Sequence, residues 1–446
     1  MKNSPALLIF IAISTEIVCF SFVKNPALLV MISIIAASTA CYLFRAEAKN
    51  PLFAPFMIIL LTTLCSLRIA LILTALPPQT ARAEFNAVVT MSSAFGRGQA
   101  LIVQSAEGDF LVKRPTGEIY KLGETLALKG WIRPFQNVGD NSKFDEATFW
   151  KSKGVMAEIV VSGIEKEASE SLNLHSLRQI IHEKFKIIPE TMRGYLDAMW
   201  TGFRDSELND KHQSWGTSHL LAVSGFHVGL IAGIMECILH FFRFRFRARS
   251  IVLSFFMWIY VFISGAAPSA MRAAFMFQVG IFAGILGRRV NAVNSVAVAA
   301  SIMLSYSPFL FWNVGWRLSV IAALTITALS HLILDEKLRK WTWFIIPPAV
   351  YLTTYPVVSS VFDSVPVVGI VLNFIAVPFF AFVFPFISIV ALLGILQNIT
   401  DAGLRLYGYV ADYLAWLLPW RIPYNSFISM FCVLFFYGLI YASCKE

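Results

Sequence analysis

Residues 367–397, VVGIVLNFIAVPFFAFVFPFISIVALLGILQ, form a run of 31 residues without a single Asp, Glu, Lys or Arg. About 20 apolar residues in a helix are enough to cross the hydrocarbon core of a bilayer. Comparable runs recur from Pro5 to the last few residues of the chain. The 446 residues are 57% hydrophobic and only 14% charged, whereas soluble domains carry about 25% charged residues. The sequence therefore predicts a polytopic membrane protein and excludes a secreted or cytosolic enzyme.

An N-terminal membrane block of three helices is predicted over residues 1–78. Its spans lie at about Pro5–Val23, Pro26–Phe44 and Leu52–Leu76. Lys2 and the loop at residues 45–49 carry more positive charge than the turn between the first two spans, and positive loops favour the cytoplasmic side. We therefore expect a cytoplasmic N-terminus, which makes the segment after the third span periplasmic.

Over residues 79–170 the hydrophobic pattern changes to a period of two, which is typical of strands. Five short strands are predicted, at residues 85–89, 100–103, 110–113, 126–132 and 155–161. A helix is predicted over Asp145–Lys153, before the last strand. This order favours a small closed barrel of the OB-like kind, which often binds single strands along one face. The expected fold class is a polytopic α-helical membrane protein with an inserted small β-barrel periplasmic domain.

The net charge of +9 does not by itself indicate a nucleic-acid partner. Residues 1–78 hold 5 Lys/Arg and 2 Asp/Glu (+3), residues 79–217 hold 17 and 18 (−1), and residues 218–446 hold 14 and 7 (+7). Most of the excess lies in short loops between apolar runs, where the positive-inside rule explains it. The near-neutral barrel leaves both a DNA-binding and a purely structural role open.

Amphipathic linker helices are predicted over residues 171–217, because apolar residues recur at helical spacing in Leu172–Ile188. A second membrane block, residues 218–446, follows. Its loop Arg243–Arg249 holds four arginines in seven residues and is predicted to be cytoplasmic. We expect about ten to twelve membrane segments in an inner membrane, with a cytoplasmic C-terminus.

Backbone breaks are predicted at two places in the second block. The segment SGAAPS at residues 264–269 separates two spans, and Pro378 and Pro385 fall inside the long apolar run. Non-helical backbone at membrane depth requires a water-filled or protein-lined cavity. Such breaks are common along the path of a transporter.

The segment WGTSHLLAVSGFHVGL, residues 215–230, places His219, Ser224 and His227 at the head of a span. Ser224 and His227 are three residues apart and would be neighbours on one helix face. A histidine that accepts the proton of a serine would suit an intramembrane hydrolase. The sequence supplies no orienting acid or oxyanion site for that chemistry. Polar residues within membranes more often line a path or join helices by hydrogen bonds.

This segment closely resembles the signature of the ComEC family, the inner-membrane channels of bacterial DNA uptake, in which a stretch like G-x-x-HLLA-[IV]-SG-x-H-V-G opens the competence domain. Five further segments of the chain resemble other motifs of the family, namely Ala198–Arg204, Ser264–Ala273, Gly287–Arg289, Gly315–Ser319 and Leu372–Pro378. Two departures stand out. Residues 140–146, DNSKFDE, replace the usual N-P-G-x-F-D-Y turn, and the sequence is similar to a short form that lacks the C-terminal metallo-β-lactamase-like nuclease domain.

The resemblance implies a channel that moves single-stranded DNA into the cytoplasm during natural transformation, with no catalytic residue, cofactor or metal site of its own. The partners that it implies are single-stranded DNA, a periplasmic DNA receptor, a cytoplasmic ATPase or helicase, single-strand-binding proteins and a separate nuclease. Two other interpretations stay open. One is an intramembrane serine hydrolase that uses Ser224 and His227, and the other is a small-solute transporter.

A channel for a polyanion needs positive or hydrogen-bonding groups at depth. Arg272 and Arg317 each lie beside a glycine-containing break, where an arginine against lipid would cost about 2.5 to 3.5 kcal/mol; capping a helix end or reaching the interface is the alternative for both. The DNA-path candidates are His219, Ser224, His227, Arg272, Arg317 and Asn373. The cytoplasmic exit candidates are Arg243, Arg245, Arg247 and Arg249, although membrane topology alone also explains these four.

Overall fold

The computed structural model describes residues 5–20, 53–74, 80–95, 98–114, 118–135, 145–167, 173–288, 291–329 and 339–443, with single residues at 27, 30, 31 and 35. The second predicted span, Pro26–Phe44, lies almost wholly outside the described residues. So does most of the DNSKFDE turn, up to residue 144. Within the described residues the chain is mostly helical, and five strands form a barrel.

The helices, numbered in chain order, are α1 (Pro5–Phe20), α2 (Phe53–Thr74), α3 (Glu146–Ser152), α4 (Leu174–Phe185), α5 (Glu190–Leu196), α6 (Ser206–Ser214), α7 (Gly225–Phe241), α8 (Phe246–Ile263), α9 (Pro268–Ile285), α10 (Ala292–Tyr306), α11 (Val314–Ala328), α12 (Thr342–Phe362), α13 (Val368–Leu393), α14 (Gln397–Leu417) and α15 (Ser426–Ser443). A π-helical turn, Asp197–Thr201, continues α5, and short 3₁₀ turns lie at Ser218–Leu220 and Pro308–Trp312.

The predicted barrel is confirmed as a closed five-stranded barrel, with strand order β1-β2-β3-β5-β4. Its strands are β1 (Ala81–Phe95), β2 (Gly98–Ser105), β3 (Gly108–Arg114), β4 (Thr125–Arg133) and β5 (Val155–Lys166). All five predicted strands are present, and each extends beyond its predicted bounds. The 15-residue β1 pairs with β4 through its first half and with β2 through its second, with a register shift between Val89 and Met91. A bulge of this kind bends a strand and lets one strand serve both sides of a barrel.

The predicted helix before the last strand is also confirmed, as α3. It begins where expected because the Asp145 side chain accepts a hydrogen bond from the backbone N–H of Thr148 (3.1 Å). Lys113 on β3 fixes α3 to the barrel, since its Nζ lies 2.6 Å from Glu146 Oε1. The lysine also lies 3.5 Å from Glu158 Oε2 on β5.

The predicted linker helix is α4, and it is attached to the barrel. Its N-cap residue Asn173 accepts a hydrogen bond from Ser176 N (2.7 Å) and donates from Nδ2 to the carbonyl of Gly123 (3.2 Å). Gly123 has a φ of +81°, and a Cβ there would lie 2.4 Å from Ser176 N. Only glycine allows this close approach of α4 to the barrel.

In the part of the chain that the structure describes, four helices are long and apolar enough to cross a membrane, namely α8, α12, α13 and α15. Shorter apolar helices or parts of helices accompany them, at Ile9–Cys19, Thr62–Ile72, Gly225–Phe241, Ala292–Tyr306 and Val314–Ala328. Many large apolar side chains of the long helices are exposed, such as Phe382 (79%) and Leu392 (86%) on α13. Such surfaces fit contact with lipid, because a soluble protein rarely exposes apolar patches of this extent.

The two predicted breaks have different outcomes. The SGAAPS turn is confirmed, because α8 ends at Ile263 and α9 begins at Pro268, with Gly265 and Ala266 at φ values of +88° and +49° between them. The prediction of a break at Pro378 and Pro385 was wrong, since α13 is helical through both prolines. Proline is tolerated within membrane helices, where neighbouring helices and local adjustments satisfy the freed carbonyls.

Candidate functional site: a cavity between the barrel and the arginine loop

A cavity of about 3450 Å³ runs through the helical part of the molecule. At one end it is lined by barrel residues, including Ser92, Gln104 and Lys153. It continues between helices α7 to α12 and reaches Glu236 and Arg249 beside the arginine loop, residues 243–249. We call its two ends the barrel side and the arginine-loop side. Six Lys/Arg and three Asp/Glu of the described residues line it, which gives this part of its wall a positive excess.

The DNA-path candidates gather at one depth, near the barrel side. Arg272 is the fifth residue of α9, Arg317 the fourth residue of α11, and Asn373 the sixth residue of α13. Ser224 immediately precedes α7. Since a helical turn takes 3.6 residues, all four lie within about two turns of helix ends that face the barrel side. The sequence predicted these residues one by one, and the fold brings them to one level.

The HLLA-V-SG segment forms the mouth of the cavity through a short 3₁₀ turn followed by α7. His219 lines the cavity and is exposed to it. Ser224 is the N-cap residue of α7, and its Oγ lies 3.1 Å from His227 Nδ1. The backbone N–H of Ser224 donates to the same nitrogen (3.2 Å). The serine and histidine are therefore neighbours, as predicted, but they are joined as the cap of a helix.

His227 itself is turned into the protein. It is 1% exposed, its ring packs against Phe384 with centroids 4.6 Å apart, and it is not among the residues that line the cavity. Its Nε2 is buried without a hydrogen-bond partner among the described residues. Because Nδ1 accepts a backbone N–H, the free proton of the neutral ring lies on Nε2, and no carboxylate of the described chain meets it there.

Arg272 is the buried cation of the site, with 7% of its surface exposed, and it lines the cavity. Its Nε donates to Ser319 Oγ on α11 (2.9 Å), and its Nη1 lies 2.9 Å from the sulfur of Met276. Within the described residues it makes no ion pair. A buried arginine without a carboxylate keeps its charge uncompensated, which is costly and therefore points to a role beyond packing.

Arg317 and Asn373 are both half-buried, and each has an unpaired polar atom. Arg317 Nε and Asn373 Oδ1 are buried with no hydrogen-bond partner in the described part of the chain. Asn373 lines the cavity, whereas Arg317 does not, although its neighbours Gly315, Leu318 and Ser319 do. Of the six DNA-path candidates, four therefore line the cavity and two, His227 and Arg317, stand behind its wall.

Arg178, on α4, holds together two segments that resemble family motifs. Its Nε donates to the carbonyl of Thr201, and its guanidinium lies over the ring of Phe203 at 4.9 Å. A Cβ on Gly265 would lie 2.9 Å from its Nη2, and one on Gly202 would lie 2.5 Å from the carbonyl of Ser264. Burial lowers the pKa of Arg178 to about 10. The barrel-attached helix α4 is thus bound directly to the mouth of the cavity.

The arginine loop joins α7 and α8 at the opposite end. Arg243, Arg245 and Arg247 are exposed. Arg249 instead lines the cavity, where its Nε lies 2.8 Å from Glu236 Oε1 and its Nη1 lies 3.0 Å from His240 Nδ1. Three of the four exit candidates therefore face solvent or lipid headgroups. The fourth, Arg249 on α8, forms an ion pair with Glu236 on α7.

Sequence reasoning missed four cations that line the cavity within the described residues, namely Lys153, Arg178, Arg204 and Arg421. Lys153 ends a predicted helix of the barrel, and Arg204 ends the motif-like segment Ala198–Arg204. The near-neutral charge of residues 79–217 concealed them, because composition does not report which charges face one another. The position of Arg204 two residues after Gly202 in that segment was the available signal.

A bundle of apolar helices that surrounds a wide, positively lined cavity next to a closed barrel defines a membrane protein with an internal cavity and an accessory barrel domain. The family described as "Competence protein" matches residues 201–445, which is more than half of the chain. The chain belongs to this family, as the ComEC-like motifs predicted. The match covers the arginine loop, Arg272, Arg317 and Asn373.

Two curated relatives match parts of the chain. ComE operon protein 3 of Bacillus subtilis (strain 168) is 28% identical over 212 residues, covering 46% of this chain and 27% of that protein. Recombination protein 2 of Haemophilus influenzae (strain ATCC 51907 / DSM 11121 / KW20 / Rd) is 26% identical over 263 residues, covering 54% of this chain and 33% of that protein. The matched regions thus span about a third or less of these relatives. No solved structure matches the chain.

Proposed function

We propose that this protein is an inner-membrane channel that moves single-stranded DNA into the cytoplasm during natural transformation. The observation that carries the proposal is the cavity that extends from the barrel to the arginine loop, with the uncompensated charge of Arg272 in its wall. Membership of the competence protein family supports the link to DNA uptake.

The size of the cavity supports a polymer over a small solute. Sites for small molecules occupy roughly 300 to 1,000 Å³, whereas this cavity measures about 3450 Å³ and is lined by ten of the described helices or their ends. A small-solute transporter would need a closer fit around its substrate. A flexible strand that passes through needs length and width.

The chemistry of the wall supports a polyanion that is held weakly. Six Lys/Arg against three Asp/Glu attract phosphates, and apolar side chains such as Phe226, Phe275 and Met303 separate the charges. Transport requires binding that is favourable enough to admit the strand and weak enough to release it. Contacts to phosphates carry no sequence information, so the channel has no base preference.

In this proposal the barrel faces the periplasm, and both termini and the arginine loop face the cytoplasm. The strand passes the barrel, then the level of His219, Ser224, Arg272 and Asn373, and leaves near Arg243, Arg245, Arg247 and Arg249. Arg317 and His227 support that level from behind. The positive-inside rule supports this orientation, because the arginine loop is the strongest cluster of positive charge between helices.

The channel carries no catalytic residue in this proposal. Ser224 and His227 cap a helix, and that use of His227 Nδ1 supports a structural role for the pair. Transport then depends on partners: a periplasmic DNA receptor that delivers DNA, a nuclease that removes the other strand, a cytoplasmic ATPase or helicase, and single-strand-binding proteins that receive the strand.

The experiment is a test of blockage by a side chain placed in open space. Gly229 is the fifth residue of α7 and lines the cavity, and a Cβ there would meet nothing within 4 Å. Gly229→Phe therefore places a bulky side chain in the path from a backbone position whose Cβ has open space around it. We expect cytoplasmic uptake of labelled DNA to fall to background in cells with this variant, while DNA still accumulates outside the inner membrane.

Gly233→Phe is the matched control. Gly233 lies one turn further along α7, also has nothing within 4 Å of a Cβ, and does not line the cavity. This variant changes the helix composition in the same way and should take up DNA normally. Normal uptake in Gly229→Phe, with protein present at native levels in the membrane, would refute the proposed path.

A further inference from the structure

Lys153 lies at the junction between the barrel and the helices. It follows the last residue of α3, and its side chain lines the cavity. Its Nζ lies 4.3 Å from the ring centroid of Phe149 and 5.0 Å from that of Trp150, so cation–π contacts direct it. Within the described residues no carboxylate pairs with it.

Arg204 approaches the same part of the cavity from the helical side. It follows Phe203, whose ring lies under the guanidinium of Arg178, and Gly202, whose left-handed φ of +68° turns the chain outward. Arg178 therefore fixes the backbone from which Arg204 projects. Phe203 packs against the core of the barrel, so Arg204, like Lys153, lies where the barrel meets the helices, and both cations line the cavity there with exposed side chains. Partial desolvation and the positive charge of Arg204 lower the pKa of Lys153.

The nearest acidic residues in the cavity wall are occupied elsewhere. Asp205 accepts the backbone N–H of Leu208 (2.9 Å) as the N-cap of α6. Asp109 hydrogen bonds to Gln104, and burial raises its pKa. Within the described residues neither cation forms an ion pair, and two like charges at one end of a cavity favour binding of an anion between them, because the anion offsets their repulsion.

The surroundings fit a nucleic-acid strand. Thr90, Ser92, Ser93 and Gln104 of the barrel line the same cavity and give its barrel side a polar wall. Phe149 is 36% exposed beside Lys153. Single strands are held by positive grooves that follow the backbone and by aromatic rings on which bases stack. Both elements are present here, where barrel and helices meet.

We infer that Lys153 and Arg204 form a phosphate clamp, a site that binds the phosphodiester backbone of single-stranded DNA at the barrel-side mouth of the cavity. The clamp rests on the proposed function and extends it, because it assigns the contact at which the strand passes from the barrel to the helices. It also resolves the question that charge composition left open, since a near-neutral barrel needs only one correctly placed lysine to contribute to the site.

The test measures binding of a labelled oligothymidylate of about 16 nucleotides to the full-length protein in nanodiscs of phosphatidylcholine, over a range of salt concentrations. The variant combines Lys153→Gln with Arg204→Gln. Loss of two phosphate contacts should weaken binding about tenfold or more and lower the slope of log affinity against log salt by about 1.4, since each contact to a single strand contributes about 0.7.

The control combines Lys121→Gln with Lys186→Gln, which removes the same charge from exposed lysines that pair with Glu183 and do not line the cavity. It should bind as the native protein does. An unchanged affinity and slope in the Lys153/Arg204 variant overturns the clamp, and so does an equal loss in the control. An effect that appears only when phosphatidylglycerol is added to the nanodiscs assigns the site to lipid headgroups instead, which also overturns it.

The outcome is independent of the blockage experiment. If Gly229→Phe cells import DNA while the Lys153/Arg204 variant loses binding, the results support the clamp and refute the path through the cavity. If the Lys153/Arg204 variant binds normally while Gly229→Phe blocks import, the results support the path and refute the clamp.

Discussion

Arg272 on α9 packs against Gly225, the first residue of α7, so closely that a Cβ on Gly225 would lie 3.0 Å from Arg272 Nη2. The two residues come from different motifs, SGAAPSAMRA and HLLAVSGFHVG. Gly225 follows the N-cap residue of α7, so the buried guanidinium of Arg272 lies against the first turn of that helix. A larger residue in place of Gly225 would displace the guanidinium of Arg272, which explains why glycine stands there.

Replacing Arg272 with methionine should abolish DNA import without destabilising the fold. The guanidinium is buried with a serine hydroxyl and a thioether as its partners, so its charge is uncompensated. An apolar side chain of similar length removes that cost, and such replacements are often neutral or stabilising. Cytoplasmic uptake of labelled DNA and thermal unfolding of the purified protein measure the two effects separately.

Arg317→Met is the matched comparison for this prediction. The sequence alone gives Arg272 and Arg317 equal standing as candidates for the DNA path. Because Arg317 lies behind the cavity wall, we expect a smaller loss of import than for Arg272. Equal loss in both variants would contradict a direct contact between Arg272 and the strand. Normal import in both would refute the assignment of Arg272 to the DNA path.

Ser224→Ala should keep import and lose some stability. Ser224 is the N-cap residue of α7, and replacing such a residue with alanine costs about 1 kcal/mol. The chain should therefore unfold at a lower temperature while cells remain transformable. A serine hydrolase makes the opposite prediction, namely a dead variant and covalent labelling of the native Ser224 by a phosphonate probe. That labelling would refute the capping role as the whole function of the pair.

Local patterns in the sequence predicted the elements well. The five strands and α3 followed from alternation and turn residues, and Asp145 is an N-cap that sequence can show. The proline break failed for a physical reason. A proline tends to end a helix in water, but α13 stays helical through Pro378 and Pro385. Membrane helices tolerate proline where their surroundings can satisfy the freed backbone groups, and no local pattern reports those surroundings.

The sequence predicted which types of residue form the site, but it did not predict which side chains face the cavity. His219, Arg272 and Asn373 were identified as polar groups in apolar sequence, and they line the cavity. Arg317 had the same signal and faces elsewhere, because a difference of one residue rotates a side chain by about 100° around a helix. Lys153 and Arg204 come from segments about fifty residues apart, and only the docking of α4 on the barrel brings them together.

The attachment of α3 to the barrel should weaken in acid. The hydrogen bond from Lys113 lowers the pKa of Glu146 below its usual 4.5, and this lysine, although burial opposes it, has a pKa raised by Glu146 and Glu158. A carboxyl with a depressed folded pKa stabilises the fold above pH 4.5, and that contribution is lost as pH falls through the depressed value. Unfolding of the barrel, followed by tryptophan fluorescence of Trp150 beside Glu146, should show a loss of stability on the acid side.

In Lys113→Met the acid-side loss should be smaller, because the hydrogen bond that contributes most to lowering the pKa of Glu146 is removed. The matched control is Lys129→Met, which removes an exposed partner of Glu84 on the same barrel and leaves the pair at α3 intact. An identical pH profile in the native protein and Lys113→Met would show that this bridge does not link α3 to the barrel energetically.

Reporter fusions test the orientation on which the path depends. A reporter near Asn137 in the barrel segment should be active outside the inner membrane, and one near Arg247 should be active in the cytoplasm. The arginine loop and the mouth of the cavity lie at opposite ends of α7 and α8, so the barrel and the loop face opposite sides if these helices cross the bilayer. The same compartment for both reporters would mean that the cavity does not connect the two sides. A reversed pair would keep the conduit but would place the phosphate clamp at its cytoplasmic mouth, where it would meet the strand last instead of first.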